Sequence, residues 1–315
     1  GARGMPIFPV NHWHSWGKET GLDPMSFDLV HLHHCSNYVL ATQARDFAVV
    51  FRGKPMVATL HGPEPLEEFL TLRRGVSARL GARFFEALVV PSRHKWEAWR
   101  QRGFFGDKLR QIPNPIRGLK LGDSAAAKAS FGLSREKPCL LFLGRIRPEK
   151  TPGAVLAALP AIRNKGIEPS LLFVGTGDEA LKAQLQETCR ELGVESRFPG
   201  FVADPSSAYS AADAFLFTSR YDNFPISLFE AAAAGIPVVA TDIPVVRHEF
   251  AGSPGVHIYG TADLEGMACA VRNALRASED DRARLKDDTL ARFGFAAIGG
   301  RHRDLYEELL ARAGP

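Results

Sequence analysis

Two short runs, Ala214–Phe217 and Val238–Thr241, stand about twenty residues apart and limit what the stretch between them can be. Apolar runs of this length without alternation, the second of them β-branched, read as strands buried on both faces of a parallel sheet. Parallel strands need a crossover, and Ile226–Ala234 reads as its helix, with Glu230 in its body and Gly235 and Pro237 as its stop. The connecting loop holds Tyr221, Asp222, Asn223, Phe224 and Pro225. A helix that starts just past a strand end turns free N–H groups and a positive dipole end to the edge where open sheets bind ligands. Asp222 and Glu230 would reach ligand hydroxyls around an anion held there, and an anion flanked by polyols describes a sugar nucleotide. An ordinary crossover with solvent-facing acids fits the stretch equally well.

The same unit repeats along the chain. Strands are expected at Cys139–Leu143, Ser170–Val174, Arg197–Phe201 and Val256–Tyr259 as well, with helices starting near Gly153, Asp178, Ser206, Val245 and Thr261. Such alternation implies a doubly wound parallel sheet covered on both faces. Earlier strands are expected at Asp28–His33, Pro55–Leu60, Ala87–Val90 and Leu109–Ile112. The helices between them are Asn37–Phe51, a basic Pro65–Phe85, and Ser92–Arg102 with Ser92 as its cap. Asn11–Pro24 reads as a long loop, Asp123–Phe131 as a small connecting helix and Phe295–Ala311 as the last helix. Pro113-Asn114-Pro115 breaks regular structure and marks a hinge. A length of 315 residues accommodates two domains of ordinary size.

Other motifs carry chemistry with differing force. Leu141–Lys150 is a strand ending in Gly144, followed by cations at Arg145, Arg147 and Lys150. Fixed cations there stabilise the charge of a departing diphosphate without a metal, although a basic loop after a strand is commonly just solvated. Gly175-Thr176-Gly177 opens a G-x-G-x-x-A run that imitates a dinucleotide fingerprint. The acid that fingerprint wants at the next strand's end is missing, since Glu195 precedes that strand, so a tight turn is preferred over NAD. His12, His14, His31, His33 and His34 form H-x-H patterns, but no third ligand stands at a characteristic spacing, and no metal is expected. Scattered Cys35, Cys139, Cys189 and Cys269 fit a reducing cytosol.

Charge is uneven. Residues 1–120 carry 17 basic and 10 acidic side chains and the remainder 22 and 25, so +7 stands against −3. Much of the excess lies in Arg73, Arg74, Arg79, Arg83, Arg93, Lys95, Arg100 and Arg102. A solvated face explains this, and so does a surface for an anionic acceptor or lipid headgroups. No nucleic-acid-binding motif accompanies it.

With Asp222 and Glu230 at its two acidic positions, the stretch resembles the E-x7-E signature of retaining nucleotide-sugar glycosyltransferases of family 4. It departs from that signature by an Asp at the first acid, and by Asn223 and Pro225 where the family has glycines. The resemblance covers the chain from Phe27 and is strongest over 139–242. It implies a GT-B fold, α/β with two Rossmann-like doubly wound parallel-sheet domains facing a cleft. Residues 1–120 would be the acceptor-side domain, lacking its first strand and glycine-rich loop, and 121–294 the donor domain. Residues 295–315 would cross back as a helix.

The resemblance also implies roles. Arg145 and Lys150, after Gly144, would hold a diphosphate with help from N–H groups near Ser227 and Leu228. Phe198, Gly200 and Val202 lie in the segment whose backbone holds the base. Glu230 would bind the ribose, Asp222 a sugar hydroxyl, and Asn223 and Phe224 would line the donor. His61, ending a strand in Ala58-Thr59-Leu60-His61-Gly62, would lie beside the sugar. The activity implied is retaining, cofactor-free and metal-free transfer from a UDP-sugar to an acceptor hydroxyl, in the cytoplasm or at the inner face of a membrane. The acceptor is expected to be anionic or lipid-linked. A sugar-nucleotide-binding protein without turnover and a carboxylate-pair glycoside hydrolase are the alternatives.

Overall fold

Ten parallel strands in two separate sheets organise the computed structural model, which describes residues 23, 26–34, 44–61 and 80–313. Residues 113–299 form one unit. The described residues before 113, with those from 300 onward, form the other.

The first unit holds β1 (Val30–His34), β2 (Met56–Leu60), β3 (Ala87–Val90) and β4 (Leu109–Gln111), in that spatial order. Every residue of β2 and β3 is buried, which is why these strands read as unbroken apolar runs. Helices Ala44–Val50 and Arg93–Gln101 accompany them, and Trp99 is fully buried with Met56, Phe85 and Leu88. Ser92 sits at the cap position of the second helix, but its hydroxyl lies 2.7 Å from Nδ1 of His94 and does not bond the helix backbone. The expected basic helix 65–85 falls largely outside the described residues, as do Arg73, Arg74 and Arg79. Its described end forms a short 3-10 turn, Ala82–Phe84.

The chain's final helix, Phe295–Ala313, begins in the second unit and belongs to the first from Gly300 onward. Within the first unit Arg301 donates to the Gln111 carbonyl (2.7 Å), Tyr306 meets His31 (2.6 Å) and Glu308 pairs with Arg110 (3.0 Å).

The second unit contains β5 (Cys139–Leu143), β6 (Ser170–Val174), β7 (Ser196–Gly200), β8 (Ala214–Phe217), β9 (Val238–Thr241) and β10 (Val256–Tyr259). Their order is β10-β9-β8-β5-β6-β7, so the direction of winding reverses between β5 and β8. Helices Ala154–Arg163 and Leu264–Leu275 pack an apolar core on one face of this sheet, and Ile226–Ala233 packs another. Residues 113–120, expected with the first domain, pack here instead. Ile116 and Leu119 are buried in the second unit's core, and the Ile116 N–H donates to the Phe293 carbonyl at 2.7 Å.

Helix Glu279–Phe293 has no counterpart among the expected elements. Its start was nonetheless written in the chain, because Ser278 and Asp281 form a reciprocal capping box. No described helix is long and apolar enough to cross a membrane.

The Gly175–Gly177 turn has a backbone reason for its glycines. Gly175 has φ 134°, and a Cβ there would run into the Gly144 carbonyl; one at Gly177 would meet the Ile146 carbonyl. The turn packs against the loop after β5, donating from Asp178 N to Ile146 O (2.8 Å) and accepting Ile146 N at Thr176 O (3.0 Å). It follows β6, one strand away from the reversal, which favours the tight-turn reading over a dinucleotide site. Gly177→Ala is therefore expected to destabilise the protein by about 1–3 kcal/mol, as forced overpacking does. A thermal melt reads this as a Tm several degrees lower.

Candidate active site

The reversal between β5 and β8 leaves a crevice at their C-terminal ends, because the chain leaves the two strands toward opposite faces of the sheet. Two loops meet there, 144–153 and 218–225. They are stitched by crossed hydrogen bonds: the Thr151 hydroxyl donates to the Thr218 carbonyl, and the Thr218 hydroxyl donates to the Lys150 carbonyl at 2.7 Å. A third bond runs from Arg220 N to Glu149 O at 3.0 Å. Thr151 has φ 40°, a left-handed conformation unfavourable for a β-branched residue. Strain of this kind persists where surrounding bonds enforce it, and it collects at functional sites.

Lys150 ends a 3-10 turn, Pro148–Lys150, and its ammonium meets Asp222 Oδ2 at 2.5 Å. The side chains are 22% and 16% exposed, so the pair is shielded but reachable. Asp222 Oδ1 accepts from the Phe224 N–H at 3.2 Å. Both oxygens of the shorter acid are thus engaged, one by the cation expected to hold phosphate. Arg145 lies exposed on the same loop and makes no hydrogen bond or ion pair among the described residues. Arg147 is exposed and 4.0 Å from Glu149.

Helix Ile226–Ala233 starts at Pro225, whose carbonyl accepts from both Leu228 N (3.0 Å) and Phe229 N (3.2 Å). The Leu228 N–H, expected to serve the donor, is therefore occupied, and its side chain is fully buried. The N–H groups of Ile226 and Ser227 have no partner among the described residues and are the donors this helix offers. Phe224 stacks on Phe229 at 4.0 Å and meets Phe293 edge-on, so its ring is core and only its backbone faces the crevice loop. Asn223 Oδ1 accepts from the Tyr221 hydroxyl at 2.7 Å.

Glu230 lies one turn into the same helix, half-buried. Its Oε2 is 3.0 Å from the Tyr209 hydroxyl, which is also 3.0 Å from the Ser227 carbonyl. Burial pushes the Glu230 carboxyl above its ordinary range, while the Tyr209 bond and the Arg117 charge pull the other way. Burial and the neighbouring carboxylate raise the Tyr209 phenol, so it remains a donor. Tyr209 was not among the expected site residues. It is fully buried in helix Ser206–Ala211, and nothing in Ser206-Ser207-Ala208-Tyr209 distinguishes it from core.

Phe198, Gly200 and Val202 stand on or just after the edge strand β7, and His61 stands in the first unit. Phe198 stacks on Phe173 at 4.7 Å, with 11° between planes, on the edge strand β7. The Gly200 carbonyl accepts from Gly175 N (2.8 Å), and Val202 is half-buried against the core. His61 follows β2 in the first unit, with Nε2 3.2 Å from His33 Nδ1. Among the described residues, no three His, Cys, Asp or Glu side chains group as metal ligands would.

Comparison with known proteins adds the family. Residues 123–290 match the family model described as glycosyl transferases group 1, and residues 3–117 match glycosyltransferase family 4. A phosphatidyl-myo-inositol mannosyltransferase of Mycolicibacterium smegmatis is 28% identical over 293 residues, 89% of this chain and 71% of that protein. A D-inositol 3-phosphate glycosyltransferase of Nocardia farcinica is 29% identical over 302 residues, 87% of this chain and 62% of that protein. This chain thus spans about two thirds of the length of these relatives. Anabaena HepE, solved with UDP and glucose, has a TM-score of 0.75 at 19% identity, covering 96% of this chain and 84% of that one. Sucrose-phosphate synthase of Thermosynechococcus elongatus gives 0.76 at 19%, covering 95% and 77%. With its two parallel-sheet units, and with the first of these family models spanning more than half of its residues, the chain belongs to the glycosyl transferases group 1 and is a glycosyltransferase.

Proposed function

We propose that the protein is a retaining, metal-independent glycosyltransferase that moves a sugar from a nucleotide-diphospho-sugar, UDP-linked, to an acceptor hydroxyl. The observation that carries this reading is the crevice between β5 and β8. Lys150, Arg145 and two helix N–H groups stand on its loops, with Glu230 behind them. Anionic diphosphate suits the cations and N–H groups, and ribose hydroxyls suit a carboxylate. Breaking the glycosidic C–O bond puts the bonding pair on the diphosphate oxygen, where Lys150 and Arg145 stabilise it. That same oxygen takes the proton of the acceptor hydroxyl as the new C–O bond forms on the face the leaving group vacates, so configuration is retained. In the donor complex the diphosphate competes for Lys150, which frees Asp222 Oδ2 for a sugar hydroxyl. His61, at a strand's C-terminal end, is read as lying beside the sugar.

The acceptor is read as a phosphorylated polyol, free or lipid-linked, met at the inner face of a membrane. Two relatives bear names that specify phosphate-carrying inositols, and the first 120 residues carry the formal +7.

A thermal-shift series tests the donor. UDP-glucose and other UDP-sugars are expected to raise Tm, as a ligand bound only by the folded state must. Turnover is expected to persist in EDTA, since the cations already do a metal's electrostatic work. Activity abolished by EDTA and restored by magnesium, or a shift with GDP- or ADP-sugars alone, would overturn the respective part.

A further inference from the structure

The first unit contains a histidine stack, of which the proposed function uses His61 alone. His31 and His33 are two apart on β1, and Thr59 and His61 two apart along β2, so all four side chains stand on one face of the sheet. His31 is locked. Its Nδ1 lies 2.6 Å from the Tyr306 hydroxyl on the final helix, and its Nε2 lies 2.7 Å from Thr59 Oγ1. Burial, with smaller contributions from His33, His302 and His61, holds its imidazole down at about 2, so it stays neutral. A neutral ring with both nitrogens bonded, one donating and the other accepting, is held in one orientation. It also has no lone pair left for a metal, so the H-x-H pattern acts here as a platform.

His33 stacks on that platform with ring centres 4.4 Å apart and planes 30° apart. The ring of His61 follows at 5.5 Å and 22°, and the 3.2 Å approach of His33 Nδ1 to His61 Nε2 is a hydrogen bond between imidazoles. One nitrogen must donate and the other accept, so a single proton lies between the two rings. Which nitrogen of a histidine carries its proton is set by the bond the other nitrogen makes.

We propose that His33 is a positioning residue for His61. Through that hydrogen bond it holds the His61 ring in one orientation at the end of β2, and the final helix fixes the stack by locking His31. This inference rests on the reading that His61 lies beside the donor sugar.

Two variants separate the hydrogen bond from the packing. His33→Phe keeps a ring for the stack and removes the nitrogens, whereas His33→Asn keeps a polar atom near the position of Nδ1. In 15N-histidine-labelled protein, the Nε2 signal of His61 is expected to shift in His33→Phe, which removes its hydrogen-bond partner, and to lie nearer the wild-type position in His33→Asn. Turnover is read as donor hydrolysis with water as acceptor, using whichever of UDP-glucose and GDP-mannose stabilises the protein. His33→Phe is expected to lower kcat about tenfold, the size of effect one orienting hydrogen bond carries. Donor KM should stay within about twofold, and His33→Asn should recover most of the rate. His61 nitrogen signals unchanged in His33→Phe, or the same kcat loss in both variants, would overturn the proposal and leave the reading of His61 standing. Wild-type turnover in His61→Ala would instead remove His61 from the reaction, and this inference with it.

Discussion

Lys150→Ala is expected to lower kcat by about 10²- to 10³-fold, the range seen when one preorganised donor to developing negative charge is deleted. Affinity for UDP should fall much less. The diphosphate oxygen carries its largest charge as the glycosidic bond breaks, so an ammonium fixed there acts on the transition state more than on the bound donor. The ion pair strengthens this expectation. Lys150 lies 2.5 Å from Asp222, so a phosphate must compete with that carboxylate for it. Ground-state binding gains little from such an exchange, whereas the transition state gains the full added charge. Equal losses in kcat and in UDP affinity would take Lys150 away from the leaving group.

Glu230→Ala should have the opposite profile. Hydrogen bonds from ribose hydroxyls to a carboxylate contribute about 1.5–3 kcal/mol, so UDP and donor affinity should weaken roughly 10- to 100-fold. Saturating kcat should change little, because the contact persists from bound donor to transition state. A pH series adds a second signature. Burial raises the Glu230 carboxyl above its ordinary range, so the neutral form appears at a higher pH than in an exposed glutamate. The ionised form accepts from both ribose hydroxyls. UDP affinity of the wild type should therefore fall as pH drops through that raised value, and Glu230→Gln should abolish this limb. Calorimetry of UDP binding across pH measures both, and a wild-type affinity flat through the carboxylate range would exclude the ribose role.

The fold was largely readable because both sheets are parallel and covered. Runs such as Leu140–Phe142 and Val238–Ala240 are apolar without alternation, and burial on both faces is what that pattern means. The strand order, and with it the crevice, followed from topology that no single segment encodes. Within the site, the motif reading found the right loops and missed their internal economy. Lys150 and Asp222 are 72 residues apart and were assigned to different parts of a donor; only three dimensions show that they first satisfy each other. A loop that enters a buried helix must also supply core, so the Phe224 and Leu228 side chains pack inward, and the Leu228 N–H bonds the Pro225 carbonyl. Tyr209 had no signal at all, because a phenol that orients a carboxylate from a neighbouring helix looks in sequence like any aromatic at a buried position.

The bond between His31 and Tyr306 joins residues 275 positions apart. In synthesis β1 through β4 precede the whole second unit, yet the helix segment that bonds to β1 follows it. Until that segment arrives, His31 lacks its bond to Tyr306, and incomplete packing of a sheet is a route to misassembly. The second unit has its six strands and their crossovers within 113–299, so it can close on its own first. Completion of the first unit is then a late, long-range step of high contact order, and slow for that reason. Newly made chains should pass through a state with a formed crevice between β5 and β8 and a His31 not yet bonded to Tyr306.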